Sequence, residues 1–283
     1  MAVQWPLLLF SVLLGISAGS MAFVGVGELT KRFKDVRFMG AMIAFALLVV
    51  GGCASVFHLG HPERALHILG NVSSGLSKEL FAVGIMAVVT LAYAVLEKKA
   101  YAGPAKVLGA IGLVVALALP FVAGASYMMA ARPAWDSVTL PLMYVGTGLG
   151  MGLALMAAVA CLKGADKDEA GFAGTLALAG VAVSAVTELA YVAWVALAPL
   201  QEPSRSVDRL LTGDLAAAFW VGVVAVGIVA AVVSAVLARK RAAVDAKGAA
   251  GLLFAAFACC TVGGVVLRIA MYALGTSVDQ YIY

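Results

Sequence analysis

Apolar positions in this chain come in long unbroken runs, neither alternating nor confined to a narrow stripe. Eight such runs can be drawn, at about Trp5–Gly27, Phe38–Leu59, Leu80–Leu96, Val107–Met128, Leu140–Leu162, Phe172–Leu197, Leu215–Ala238 and Ala249–Leu274. A hydrocarbon core of roughly 30 Å takes about 20 apolar residues of helix, so each run is long enough to cross. The runs are built from Ala, Val, Leu and Gly with no period of two, which predicts helices and not barrel strands. The expected fold is therefore an all-α integral membrane protein, an eight-transmembrane-helix bundle forming one membrane domain over residues 1–283. Connections are short and leave no room for a folded extramembrane unit. The first run reads as a retained span and not a secretory signal, because no Lys or Arg precedes Lys31 and the apolar stretch is long.

Composition agrees. Hydrophobic residues make up 64% of the 283 and charged residues 12%, where a soluble domain carries about 25% charged. The charges that exist are distributed unevenly between alternate connections. One set holds Lys31, Arg32, Lys34 and Arg37, then Lys98, Lys99 and Lys106, then Lys163 and Lys167, then Arg239, Lys240, Arg241 and Lys247. The other holds only Arg64, Lys78, Arg132, Arg205 and Arg209. Positive charge accumulates on the cytoplasmic side, so both termini are expected on the outer, periplasmic side of a bacterial or archaeal cytoplasmic membrane. This asymmetry accounts for the net charge of +4 without a nucleic-acid partner. Cys53, Cys161, Cys259 and Cys260 lie in or beside spans and form no C-x-x-C pair, which reads as packing, not metal or redox chemistry. Gly15-x-x-x-Gly19 and the run Gly146, Gly148, Gly150, Gly152 place small residues where helices can approach closely.

Against this background each ionisable group inside a span is a functional candidate. His58 ends the second span, Glu79 opens the third, and Glu188 and Arg268 lie within the sixth and eighth. All four fall in the expected outer half, and the inner half offers no comparable group. The connection between the second and third spans is the densest polar stretch, His58-Leu-Gly-His61-Pro-Glu63-Arg64-Ala65-Leu-His67. Ser77 stands where an N-cap would serve the third span. Each residue also has a structural reading. Glu79 can complement a helix dipole, Arg64 can snorkel to headgroups, and Glu188 with Arg268 can form an ion pair. Haem is not expected, since His58, His61 and His67 crowd one membrane edge with no histidine on a facing helix.

The stretch His58-Leu59-Gly60-x-Pro62-x-Arg64-Ala65 resembles a motif of the dimethyl sulfoxide reductase membrane anchor subunit family, as does Ser77-Lys78-Glu79. The likeness continues through Tyr127, Pro133-x-Trp135, Pro141, Glu188-Leu189-Ala190, Arg268 and Tyr272, and polysulfide-reductase-like anchors are distantly similar. The resemblance implies a subunit that oxidises a quinol, usually menaquinol, and passes electrons to an iron–sulfur electron-transfer subunit. That partner in turn feeds a molybdopterin catalytic subunit, and the anchor itself has no haem or iron–sulfur cluster. It further implies that His58 and Glu79 serve quinol binding and proton uptake, with Arg64 in a positioning role. Ser77, Tyr127, Glu188 and Arg268 complete the candidate quinone-binding set. Lys78, His61 and Glu63 depart from the motif by adding charge.

The chemistry fits that expectation. Quinol oxidation releases two electrons and two protons, so it needs a hydrogen-bonding group at the hydroxyl and a route to water. A histidine with an ordinary pKa near ~6.5 can take one proton, a carboxylate beside a watery vestibule can relay it, and apolar helices can hold an isoprenoid tail. The partner is expected on the outer face, over Pro62–Lys78. Two other functions use the same residues differently: a secondary transporter or proton channel lined by Glu188 and Arg268, or a purely structural anchor without quinone chemistry.

Overall fold

The computed structural model describes residues 3–56, 70–71, 74–198, 201–242 and 244–275, with the backbone alone for 201–205. Among these, eight helices are long and apolar enough to cross a membrane. They are α1 (Trp5–Leu29), α2 (Lys34–Val56), α3 (Gly75–Lys98), α4 (Ala102–Ala125), α5 (Thr139–Leu162), α6 (Lys167–Leu197), α8 (Ala218–Ala242) and α9 (Ala246–Leu274). A short helix that the sequence did not announce, α7 (Gln201–Leu211), lies between α6 and α8. Its Ser206, Val207 and Leu210 are buried, so that face docks on the bundle. The first half of α8, Ala218–Ala230, winds with π-helical hydrogen bonds before tightening to an α-helix at Ala231.

Helix ends follow capping chemistry more closely than hydropathy. Asp166 accepts a hydrogen bond from the Glu169 backbone N–H at 2.8 Å, so α6 begins at Lys167, about a turn before its apolar run. Asp245 does the same for α9 through Gly248, and that bond, with Arg241 beside it, holds the Asp245 carboxyl below its ordinary range. For α3 the cap is Ser74, whose hydroxyl accepts from the Ser77 N–H at 3.1 Å. This corrects the expectation that Ser77 would be the cap: Ser74 has the extended backbone that the position requires, and Ser77 is already inside the first turn.

The bundle is organised around α1 and α5. In their most apolar windows 83% and 72% of residues are buried, against 28% for α2, α3 and α8. The two central helices meet through glycine. A Cβ on Gly19 would lie 2.8 Å from the Gly152 Cα, and one on Gly15 would lie 3.2 Å from the Gly148 Cα. Gly148 and Gly152 of the glycine run therefore face Gly15 and Gly19 at close range, while Gly146 and Gly150 pack against Thr187 and Ser184 of α6. In lipid, dispersion contacts and close backbone approach drive helix association in place of the hydrophobic effect, and these glycines supply that approach. The outer helices present Val88, Val107, Val114 and Val186 outward, as lipid-facing surface requires.

Short connections make consecutive spans antiparallel and give the bundle two chemically distinct ends. One gathers the starts of α1, α3, α5 and α8 with the ends of α2, α4, α6 and α9, and is called here the tyrosine end. The opposite, basic end carries the Lys- and Arg-rich connections. Its tight turns put three non-glycine residues, Lys31, Phe33 and Ala100, in the left-handed region at φ 58°, 60° and 57°, which is strained for side chains with a Cβ.

Candidate functional site

Glu79 lies in the first two turns of α3 and is buried. Gly75, at the start of the same helix, packs against Ser126, where a Cβ would meet the Ser126 Cα at 3.3 Å. That contact sets the start of α3 against the end of α4, and the Glu79 carboxylate accordingly lies beside the Ser126 side chain. Ser77 is also buried, but its hydroxyl donates to the Asn71 carbonyl at 2.7 Å and accepts from Ser74 at 2.8 Å. Its visible role is to shape the turn leading into α3.

Beyond Ser126 the chain leaves α4 and places Tyr127 in an aromatic group. The Tyr127 and Tyr272 hydroxyls are 2.9 Å apart. Trp135, in the single turn Pro133–Trp135, stands edge-on to both rings at 5.8 and 6.1 Å, and the Tyr144 ring is 5.9 Å from Tyr127. Edge-to-face packing of this kind matches the electron-poor rim of one ring to the face of the next. The Trp135 indole N–H donates to the Met271 carbonyl at 2.8 Å, and the Tyr191 hydroxyl to the Ala134 carbonyl at 3.1 Å. These two bonds pin the 133–135 turn to α9 and α6. Arg132 covers the outer face of Trp135 at 4.6 Å. Burial, with Tyr144 and Tyr272 nearby, raises the Tyr127 pKa well above the ordinary phenol range, so its hydroxyl stays protonated. Glu79 is close enough to Tyr127, Tyr144 and Tyr272 to act on each electrostatically.

Deeper in the bundle, Arg268 and Glu188 are each 1% exposed. Glu188 is nine residues before the end of α6 and Arg268 six before the end of α9, depths of about 14 and 9 Å at the helical rise. The ion pair that a purely structural reading allows is not among the contacts they make. Arg268 donates one Nη to Gly264 at 3.1 Å and the other to the Thr147 hydroxyl at 3.0 Å, and its guanidinium lies 4.6 Å over the Tyr144 ring. Those partners turn it toward α5. Glu188 accepts from Ser184, one turn back on its own helix, at 2.9 Å. Within the described protein, Glu188 Oε2 and Arg268 Nε make no hydrogen bond, which for buried polar atoms is uncommon.

The structure therefore brings Glu79, Tyr127, Glu188 and Arg268 to one end of the bundle and connects them through residues that sequence reasoning passed over as site members. Tyr144 and Thr147 gave no signal, because aromatic and hydroxyl side chains are ordinary within spans, and Trp135 entered only through the family likeness. His58 and Arg64, with the rest of the motif over 58–65, lie outside the described residues. Chemically, the cluster offers two carboxyl groups, phenols and a fixed guanidinium at the margin of an apolar bundle.

A second buried polar cluster occupies the basic end, correcting the expectation that ionisable groups concentrate at one end. Arg37, in the first turn of α2, forms an ion pair with Glu28 of α1 and lies 3.8 Å from Glu97 of α3. The Tyr93 hydroxyl donates to the same Glu28 oxygen at 2.9 Å, and Arg37 Nε donates to the Arg32 carbonyl at 2.9 Å. In the sequence Arg37 counts only toward the charge asymmetry, and Glu28 follows the first apolar run without a partner in view. Only the fold shows that they meet.

Among the described residues no group of three or more His, Cys, Asp or Glu could hold a metal ion. Residues 1–274 match the family model described as DMSO reductase anchor subunit (DmsC). The chain is also similar to the anaerobic dimethyl sulfoxide reductase chain YnfH of Escherichia coli (strain K12), at 36% identity over 86 residues. That stretch is 29% of this chain and 30% of YnfH.

Proposed function

The chain belongs to the DMSO reductase anchor subunit family, and on that footing we propose that it oxidises menaquinol at its tyrosine end. It is a multi-pass protein of the cytoplasmic membrane and the anchor of a DMSO reductase-type oxidoreductase complex. In the proposed reaction a quinol gives up two electrons and two protons and leaves as quinone. The electrons pass to an iron–sulfur subunit seated over this end, and from there to a molybdenum-containing catalytic subunit.

The observation that carries the reading is the placement of Glu79. It sits one to two turns into α3, beside Ser126 and within electrostatic reach of the half-buried Tyr127 and the buried Tyr144 and Tyr272. His58, two residues beyond the described end of α2, accepts the first hydroxyl proton, and Glu79 takes or relays the second. The Tyr127–Tyr272 pair supplies phenolic donors for the quinone oxygens. Arg268, held by Thr147 and Gly264, provides a fixed positive charge that steadies anionic forms of the ring without itself exchanging a proton. Arg64 and Ser77 shape the connection above. The tyrosine end faces outward and the basic end faces the cytoplasm, following the charge asymmetry.

The test uses the assembled complex. Replacing His58 with Ala is expected to abolish quinol-linked reduction of the terminal acceptor while leaving reduction by an artificial donor intact. Near-normal quinol turnover in a fully assembled His58→Ala complex would sink the assignment.

A further inference from the structure

The basic end contains a cavity that the quinol chemistry does not use. It measures about 310 Å³ and lies where the α1–α2 turn meets the α3–α4 turn, lined by Glu28, Lys31, Lys34, Arg37, Glu97 and Lys106 with Ala100 and Ala102. Its two carboxylates are already engaged. Glu28 is paired with Arg37 and hydrogen-bonded by Tyr93, and Glu97 lies 3.8 Å from the same guanidinium. The three lysines are not: Lys31, Lys34 and Lys106 are exposed and make no ion pair among the described residues. The cavity thus sets two carboxylates and one guanidinium at its floor against three ammonium groups at its rim, so cations outnumber anions and the surplus lies at the rim. Both turns that shape it hold a strained residue that lines it, Lys31 at φ 58° and Ala100 at φ 57°, and strain of this kind persists where the surroundings enforce it and clusters at ligand sites.

We propose that this cavity binds the phosphate headgroup of an anionic phospholipid. The rim supplies cations for a phosphate, and the cavity stands at the ends of the spans, at the depth where headgroups lie. Apolar surface continues from it along the membrane-facing sides of α2 and α3. Phe38 and Met42 are exposed one and two turns beyond Lys34, and Leu91 and Val95 are exposed on the last turns of α3. Lys98 reaches over the Phe38 ring at 5.8 Å, closing the approach between the two helices. A headgroup seated at the lysines would lay its acyl chains along these residues, whereas free phosphate would gain nothing from them. Basic pockets between spans on the cytoplasmic side recognise anionic headgroups in this way. A bound lipid would fasten the α1–α2 turn to the α3–α4 turn, which carry the ends of the buried Glu28–Arg37–Tyr93 cluster.

The experiment is native mass spectrometry of the purified full chain in neutral detergent, titrated separately with phosphatidylglycerol, phosphatidylcholine and inorganic phosphate. Phosphatidylglycerol is expected to be retained at least ~tenfold better than phosphatidylcholine. Each lysine near a membrane surface is worth about a fivefold change in affinity for anionic lipid, so K31Q/K34Q/K106Q should weaken retention about a hundredfold. A control triple on other basic connections of the same end, K163Q/K167Q/K240Q, should leave it within about twofold. Because all six lysines are exposed, neither triple should disturb folding, and a thermal melt of each verifies this. Equal retention of the two lipids, equal losses in the two triples, or displacement of phosphatidylglycerol by equimolar phosphate would each overturn the proposal.

Discussion

The two ends of this bundle handle buried charge in opposite ways. At the basic end Glu28, Arg37 and Tyr93 satisfy one another: the carboxylate has a guanidinium and a phenol, and the guanidinium has a backbone carbonyl besides. At the tyrosine end Glu188 and Arg268 are at least as deeply buried, yet each retains an atom with no partner inside the described protein. Removing charge from water costs several kcal/mol per ion, offset only when geometry is good and remaining polar atoms are satisfied. The basic cluster meets that condition and behaves as structure. The tyrosine-end pair does not, and unsatisfied buried groups are tolerated where they serve something other than stability. On the proposed function, the contrast separates the charges that hold the bundle together from those that serve the quinol.

The largest effect should come from breaking the satisfied cluster. Arg37→Ala leaves the Glu28 carboxylate buried without its counter-ion, a loss of about 3–5 kcal/mol, measured as a lowered Tm of the detergent-solubilised chain. The complex that does assemble should keep its quinol turnover per molecule. Glu188→Gln should do the reverse. It removes a buried negative charge that lacks a full set of partners, so Tm should hold or rise while quinol-linked turnover falls. A large drop in Tm there, or none for Arg37→Ala, would erase the distinction between the ends. Smaller still is Tyr127→Phe, which deletes the 2.9 Å hydroxyl contact to Tyr272 and keeps the ring packing. One such hydrogen bond contributes about 1 kcal/mol, so about a fivefold loss in kcat/KM for quinol is expected, with artificial-donor activity unchanged.

The architecture was legible in the sequence to an unusual degree, for a physical reason. Bilayer thickness imposes runs of about 20 apolar residues, and all eight runs became helices. The glycine pairs were legible too, because small residues are what close helix approach demands, and Gly15 and Gly19 do meet Gly148 and Gly152. Helix ends were read less well, since they depend on single caps such as Asp166 and Ser74 and not on mean hydropathy. The amphipathic α7 was hidden by its polar opening, Gln201-Glu-Pro-Ser-Arg.

In the candidate site, Glu79, Glu188 and Arg268 stood out because ionisable groups are rare in spans. The partners that define their environment did not, since Thr147 and Tyr144 meet Arg268 from more than a hundred positions away in the chain. The same holds for Tyr93, which is 65 residues from the Glu28 it serves. Long-range pairing of common residue types leaves no local pattern, and so the whole basic-end cluster was invisible until the helices were assembled.

The central claim is that quinol is handled at the tyrosine end, and photo-crosslinking tests it most directly. A short-tailed photoreactive quinone would be bound to the assembled complex, activated, and located by peptide mass spectrometry, with excess menaquinol analogue as competitor. The account predicts competable labelling within 70–79, 126–144 and 264–275, the segments that carry Glu79, Tyr127, Trp135, Tyr144, Arg268 and Tyr272. Competable labelling confined to 28–37 and 93–106, around Glu28, Arg37 and Tyr93, would contradict it.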